Sequence, residues 1–121
     1  MRSFVVEQSW NSVRVFWLDQ DRLLEEIREA AMRVGEKDAN VKKIILFGSL
    51  AERRAVPGSD ADILIVLKRE DGAFTDRIMR WADKFLLDFP VEVFPFTIEE
   101  LNNPIAQEAM KKGIVLFERL N

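Results

Sequence analysis

Short β-branched runs alternate with amphipathic helical stretches along this 121-residue chain, which predicts an α/β (α+β) fold with helices packed on one sheet. Three observations carry that prediction. Residues 62–67, Asp62-Ile63-Leu64-Ile65-Val66-Leu67, are apolar on both faces and read as a central strand. Leu23, Leu24, Ile27, Ala30, Ala31 and Val34 recur at helical spacing. Strand-like and helix-like segments then take turns to the C-terminus, with turn signals between them. No repeat or flexible linker divides the chain, so a single domain over residues 1–121 is expected, with an N-terminal arm and helix over 1–35 and a core over 42–118.

Each element has its own signal. Residues 12–18, Ser12 to Leu18, are β-branched and aromatic and suggest a strand or extended arm. Asp19 is placed as an N-cap, and the helix behind it is expected to stop at Gly35. Lys43 to Phe47 form a short apolar run that ends in Gly48-Ser49, followed by one or two helical turns over Leu50–Ala55. Pro57-Gly58-Ser59 marks a turn before the central strand. Ile78, Trp81, Ala82, Phe85 and Phe89 outline an amphipathic helix from Phe74 to Phe89, ended by Pro90. Val91 to Phe96 read as a third strand, and Thr97-Ile98-Glu99-Glu100 as a capping box. A last helix over Pro104–Lys112 stops at Gly113, and Ile114 to Phe117 close the chain as a strand.

Composition removes several kinds of chemistry. There is no His, no Cys and no Tyr among the 121 residues. Triads of the usual kinds, a cysteine nucleophile, a disulfide framework and conventional zinc ligation are therefore excluded. Carboxylate, ammonium, guanidinium and hydroxyl groups remain, and a metal inventory of carboxylates points to hard cations such as Mg²⁺ or Mn²⁺. The net charge of −3 argues against a broad nucleic-acid surface. No apolar run approaches the span of a bilayer, and a signal peptide's continuous hydrophobic region is missing, so a cytoplasmic protein without membrane contact is expected.

Three features converge on one chemistry. Gly48-Ser49 stands where a buried strand turns into a helix; glycine admits close backbone approach, and the free amides and Ser49 hydroxyl suit a phosphate. Alone, this corner reads as an ordinary helix cap. Asp60 and Asp62 are two residues apart at the head of the central strand, so their carboxylates face one side. Alone, they read as a turn residue and a solvated strand end. Glu92 is a lone acid in a strand otherwise made for burial. It is either on an exposed face or edge, or on a strand beside the one carrying Asp60 and Asp62. In the second case three carboxylates on adjacent strands can hold two divalent ions, the arrangement used for in-line phosphoryl or nucleotidyl transfer.

The spacing, Gly48-Ser49 followed by ten residues and then Asp60-x-Asp62, resembles the signature of the DNA polymerase beta-like nucleotidyltransferase superfamily. It is most similar to the small prokaryotic minimal nucleotidyltransferase (MNT) group. The stretch ILFGSLAERRAVPGSDADILIVL and the segment over residues 91–119 carry the likeness, together well over half of the chain. The resemblance implies a nucleotidyltransferase-like mixed sheet of about four to five strands. It implies that Gly48 and Ser49 hold the triphosphate, that Asp60 and Asp62 ligate Mg²⁺ (or Mn²⁺), and that Glu92 is the third acid, which activates the acceptor hydroxyl. Two departures stand out. Glu92 replaces the Asp often found in the group, and Glu52-Arg53 stands where Arg then Gly is common. Glu52 opposes a phosphate, whereas Arg53 and Arg54 offset it or simply line a solvated helix face.

The resemblance further implies transfer of AMP from ATP, or of the equivalent group from another NTP, to a hydroxyl acceptor. Many MNT proteins are paired with a helical HEPN ribonuclease toxin, and some modify a tyrosine of that partner. The acceptor is expected to come from such a partner, from a homo-oligomer or from a small molecule; self-modification on tyrosine is excluded. The alternative is a non-catalytic, nucleotide-binding or toxin-neutralising protein of the same fold. Trp81 at helical spacing reads as core, while Trp10 or Trp17 is expected to contribute to a contact with another chain.

Overall fold

A computed structural model describes residues 4–10 and 13–120. Among the described residues the elements follow as β1 (Val5–Trp10), β2 (Val13–Leu18), α1 (Gln20–Lys37), β3 (Val41–Phe47), α2 (Gly48–Ala51), β4 (Ala61–Leu67), α3 (Phe74–Ala82), β5 (Val91–Thr97), a 3₁₀ turn (Ile98–Glu100), α4 (Pro104–Lys112) and β6 (Ile114–Glu118). Four strands form one mixed sheet in the order β5-β4-β3-β6, and β1 and β2 form a separate antiparallel pair. β3 is antiparallel to both of its neighbours, while β4 and β5 are parallel. The central position expected for residues 62–67 is the one observed.

The sheet is covered on both faces. Ile44, Leu46, Ile63, Ile65, Leu67 and Val93 point to one side and pack with Leu23, Ile27, Ala30 and Ala31 of α1 and Trp81 of α3. Ile45, Phe47, Leu64, Val66 and Phe96 point to the other and meet Ala106 and Ala109 of α4. Alternation along each strand sorts the side chains between these layers. Trp81 is buried as expected, and its indole N–H donates to Glu70 at 2.9 Å.

The structure corrects four sequence expectations. β1 was not anticipated, because Val5-Val6-Glu7-Gln8-Ser9-Trp10 has little alternation of its own; pairing with β2 makes it a strand. Ser12, at the start of the expected 12–18 segment, lies outside the described residues. α1 passes through Gly35 and ends at Lys37. Gly35 is instead a packing residue: a Cβ there would stand 2.5 Å from the ring of Phe117. The helical stretch expected over Leu50–Ala55 is a single turn that already begins at Gly48. The helix expected to reach Phe89 ends at Ala82. Beyond it the chain is irregular, with the Leu87 amide donating to the Phe85 carbonyl at 2.7 Å, and Phe85, Leu87 and Phe89 turn inward while Leu86 and Asp88 are exposed.

Both edges of the main sheet are blocked. β5 contains Pro95, which has no amide to donate, and β6 is bulged at Leu116, between Val115 opposite Ile45 and Phe117 opposite Ile44. No helix among the described residues is long and apolar enough to cross a membrane.

Candidate active site

The end of β3 and the starts of β4 and β5 meet at one end of the sheet, and all three sequence features lie there. Register sets Phe47 opposite Asp62, and Asp62 opposite Glu92. Residues directly opposite in a sheet project to the same face, so the Asp62 and Glu92 carboxylates share the face that lower down carries Leu64 and Phe94. Asp60 lies just before the strand, near enough for its charge to act on Asp62. Glu92 is thus on the strand beside the aspartates, and it is exposed there.

Gly48 completes the corner. Its φ of +77° is one that glycine adopts without strain, and a Cβ at this position would lie 2.3 Å from Asp62 Oδ2. The backbone therefore presses directly on the Asp62 carboxylate. From there the single turn of α2 closes with Glu52 N–H donating to the Gly48 carbonyl at 3.1 Å and Arg54 N–H to the Ser49 carbonyl at 2.8 Å.

Burial, joined by the crowding of acids, raises the proton affinity of Asp62. Its pKa is pushed from 3.8 to about 6, first by loss of hydration on burial and then by the charges of Glu92 and Asp60, with a hydrogen bond to Glu92 adding to the effect. Apolar neighbours on that face explain the lost hydration: the rings of Phe47 and Phe94 meet across β4 with centroids 5.4 Å apart. Asp60 and Glu92 are exposed, whereas Asp62 is half-buried, so the cluster opens to solvent. A cavity of about 290 Å³ bounded by Arg33, Lys37, Asp83 and Lys84 lies elsewhere and shares no residue with it.

Arg53 and Arg54 flank the corner, but their guanidiniums are held by acids. Arg53 pairs with Asp21 of α1 at 2.9 Å, and Arg54 pairs with Glu52 at 3.2 Å. Sequence reading missed Asp21, whose only signal is an acidic residue in the first turn of a helix. Arg53 has φ +61°, alone in the left-handed region among the described non-glycine residues. It occupies the position where the resembled group commonly has glycine, and its conformation gives the reason for that preference.

The donors are hard carboxylate oxygens, and burial together with neighbouring acids raises a proton affinity among them, a chemistry that suits a hard divalent cation. As placed, however, no three acidic side chains among the described residues converge to hold one ion. Asp62 and Glu92 already share a hydrogen bond, so ligation by all three acids requires the exposed Asp60 carboxylate to join them.

Residues 29–121 match the family model described as Polymerase beta, Nucleotidyltransferase. The crystal structure of a nucleotidyltransferase candidate from Sulfolobus solfataricus overlays with a TM-score of 0.64 at 23% identity, over 83% of this chain and 84% of that one. A toxin–antitoxin structure with AMP-PNP overlays with a TM-score of 0.48 at 16% identity, over 85% of this chain and 76% of that one. No curated protein matches significantly. The family match contains the glycine corner, both aspartates and Glu92, and the mixed sheet places them at one end; the chain belongs to the polymerase beta nucleotidyltransferase family.

Proposed function

We propose that this protein transfers AMP from ATP, or the equivalent group from another NTP, to a hydroxyl acceptor with the help of Mg²⁺ (or Mn²⁺). The observation that supports this reading best is the direct apposition of Asp62 and Glu92 beside the Gly48 corner. Binding alone gives no reason to crowd acids where a triphosphate would sit. Asp60 and Asp62, with Glu92, are the residues that would hold the ion, whose charge when bound offsets that of the phosphates and eases ionisation of the acceptor hydroxyl. Ser49 and the backbone amides of the corner donate to phosphate oxygens. Arg53 and Arg54 exchange their exposed ion pairs, each of which is weak in water, for the same phosphates. Glu92 takes the proton of the acceptor hydroxyl. The freed oxygen bonds to the α-phosphorus as the bond to pyrophosphate breaks, and pyrophosphate leaves with the electron pair.

A second reading is kept because specific observations favour it. Three acids do not converge as placed, and both arginines are turned to acids. A protein of this kind would bind nucleotide weakly and act by contact, for example on a HEPN-type helical toxin. The two readings separate in one experiment: incubate the chain with α-labelled ATP, Mg²⁺ and the product of the neighbouring gene, beside an Asp60→Ala/Asp62→Ala variant. Label on the partner that disappears with the variant supports transfer. Neutralisation that survives the double substitution with no labelling supports the binding module.

A further inference from the structure

The main sheet is blocked at both edges, by Pro95 in β5 and the bulge in β6, but the hairpin is not. β1 and β2 pair over six residues in unbroken register without proline, and no third strand joins them among the described residues. The Asp19 amide donates to the Phe4 carbonyl at 2.7 Å, and alternation from that bond turns the backbone groups of Arg14 and Phe16 away from β1. On the same strand Phe16 and Trp17 are 52% and 41% exposed. The hairpin is anchored at its base, where Phe4 and Leu18 enter the core and Phe4 packs edge-on against Phe89. A hairpin of two strands is marginal in water, and three or more strands make an independently stable sheet.

We propose that β2 pairs antiparallel with β2 of a second copy of this chain, giving a four-stranded sheet of two hairpins. Charge selects this occupant. Among the described hairpin residues the ionisable groups are Glu7 and Arg14, which pair with each other at 3.3 Å. A neutral hairpin has no net charge with which to attract a nucleic acid or a charged peptide. A twofold axis through Val15 pairs the outward backbone groups of Arg14 with those of the partner's Phe16, and the reverse. That register sets a guanidinium beside an aromatic ring twice and brings no like charges directly opposite. The proposal is independent of whether the acid cluster is catalytic.

Sedimentation equilibrium of the full chain tests it over about 5–200 µM, the range in which a small interface associates. The mass is expected to rise from 14.1 kDa toward twice that value. Phe16→Pro removes an amide that β1 does not use, so it is expected to hold the chain at 14.1 kDa with an unchanged circular dichroism spectrum. Hydrogen exchange on the unaltered chain provides an independent readout should that variant not fold: the Arg14 and Phe16 amides are expected to slow at least about tenfold as the chain associates. An unaltered chain that stays at 14.1 kDa, even while its hairpin binds some other protein, overturns the proposal. So does a folded Phe16→Pro variant that still doubles its mass, or exchange at these amides that ignores concentration.

Discussion

Replacing Asp62 with Asn should stabilise this protein at neutral pH while weakening any site built on it. The folded state binds the Asp62 proton more tightly than the unfolded chain does, with a pKa raised from 3.8 to about 6. Stability from this group is therefore fully present below pH 3.8 and is lost as pH rises through about 6. Full linkage at pH 7 corresponds to roughly 3 kcal/mol, and solvent reaching the half-buried carboxylate reduces that to about 1–2 kcal/mol. Asn has nearly the same shape, carries no charge and can donate to Glu92. Urea unfolding in the presence of a chelator should show Asp62→Asn more stable by about 1–2 kcal/mol at pH 8 and equal to the parent near pH 4. Carboxylates away from this cluster titrate in both proteins and cancel in the difference. Adding Mg²⁺ at pH 8 should raise the stability of the parent more than that of the variant, since a cation relieves the same repulsion. A variant no more stable at pH 8, or one whose advantage persists unchanged at pH 4, would refute the reasoning.

Three further predictions rest on single contacts. Gly35→Ala gains about 1 kcal/mol of helix propensity but drives a methyl into Phe117, so thermal unfolding should show a net loss of about 1–2 kcal/mol, partly recovered by adding Phe117→Leu. A more stable single variant would contradict the close packing of α1 on β6. Arg53→Gly should raise stability by about 0.5–1 kcal/mol, because it relieves a left-handed arginine at the expense of one exposed ion pair; Arg53→Val should lower it. Glu100→Gln leaves the buried Arg77 guanidinium without the carboxylate 2.7 Å away and should cost about 1–2 kcal/mol at pH 7. Glu100 is held below its ordinary 4.5 first by the Thr97 amide and then by Arg77, so that cost should fade as pH falls through the folded value.

Local chemistry made several elements legible. Asp19 caps α1 as expected, accepting from the Arg22 amide. Thr97 and Glu100 form the capping box that their spacing suggests. Phe85 and Phe89 misled because a spacing of four residues fits a helix face, while an irregular segment turns the same two rings to the core. Gly35 misled for a related reason. Glycine reads as a stop until a ring is known to lie against it. Of the aromatic residues expected at a contact, Trp17 is exposed, and the side chain of Trp10 lies outside the described residues.

The acids show where the division falls. Sequence spacing by itself put Asp60 and Asp62 together at the head of one strand, and the strand begins between them, at Ala61. Spacing from Gly48-Ser49 was enough to point to the family. That Glu92 stands opposite Asp62 depends on which strands become neighbours and in what register, and the α3 crossover that makes β4 and β5 parallel decides it. The pressure of Gly48 on Asp62 follows from the β3–β4 register, and the raised proton affinity from burial and from the acids beside Asp62. Sequence supplies the groups and their local geometry; burial and proximity, which turn them into an electrostatic site, exist only once distant segments pack together.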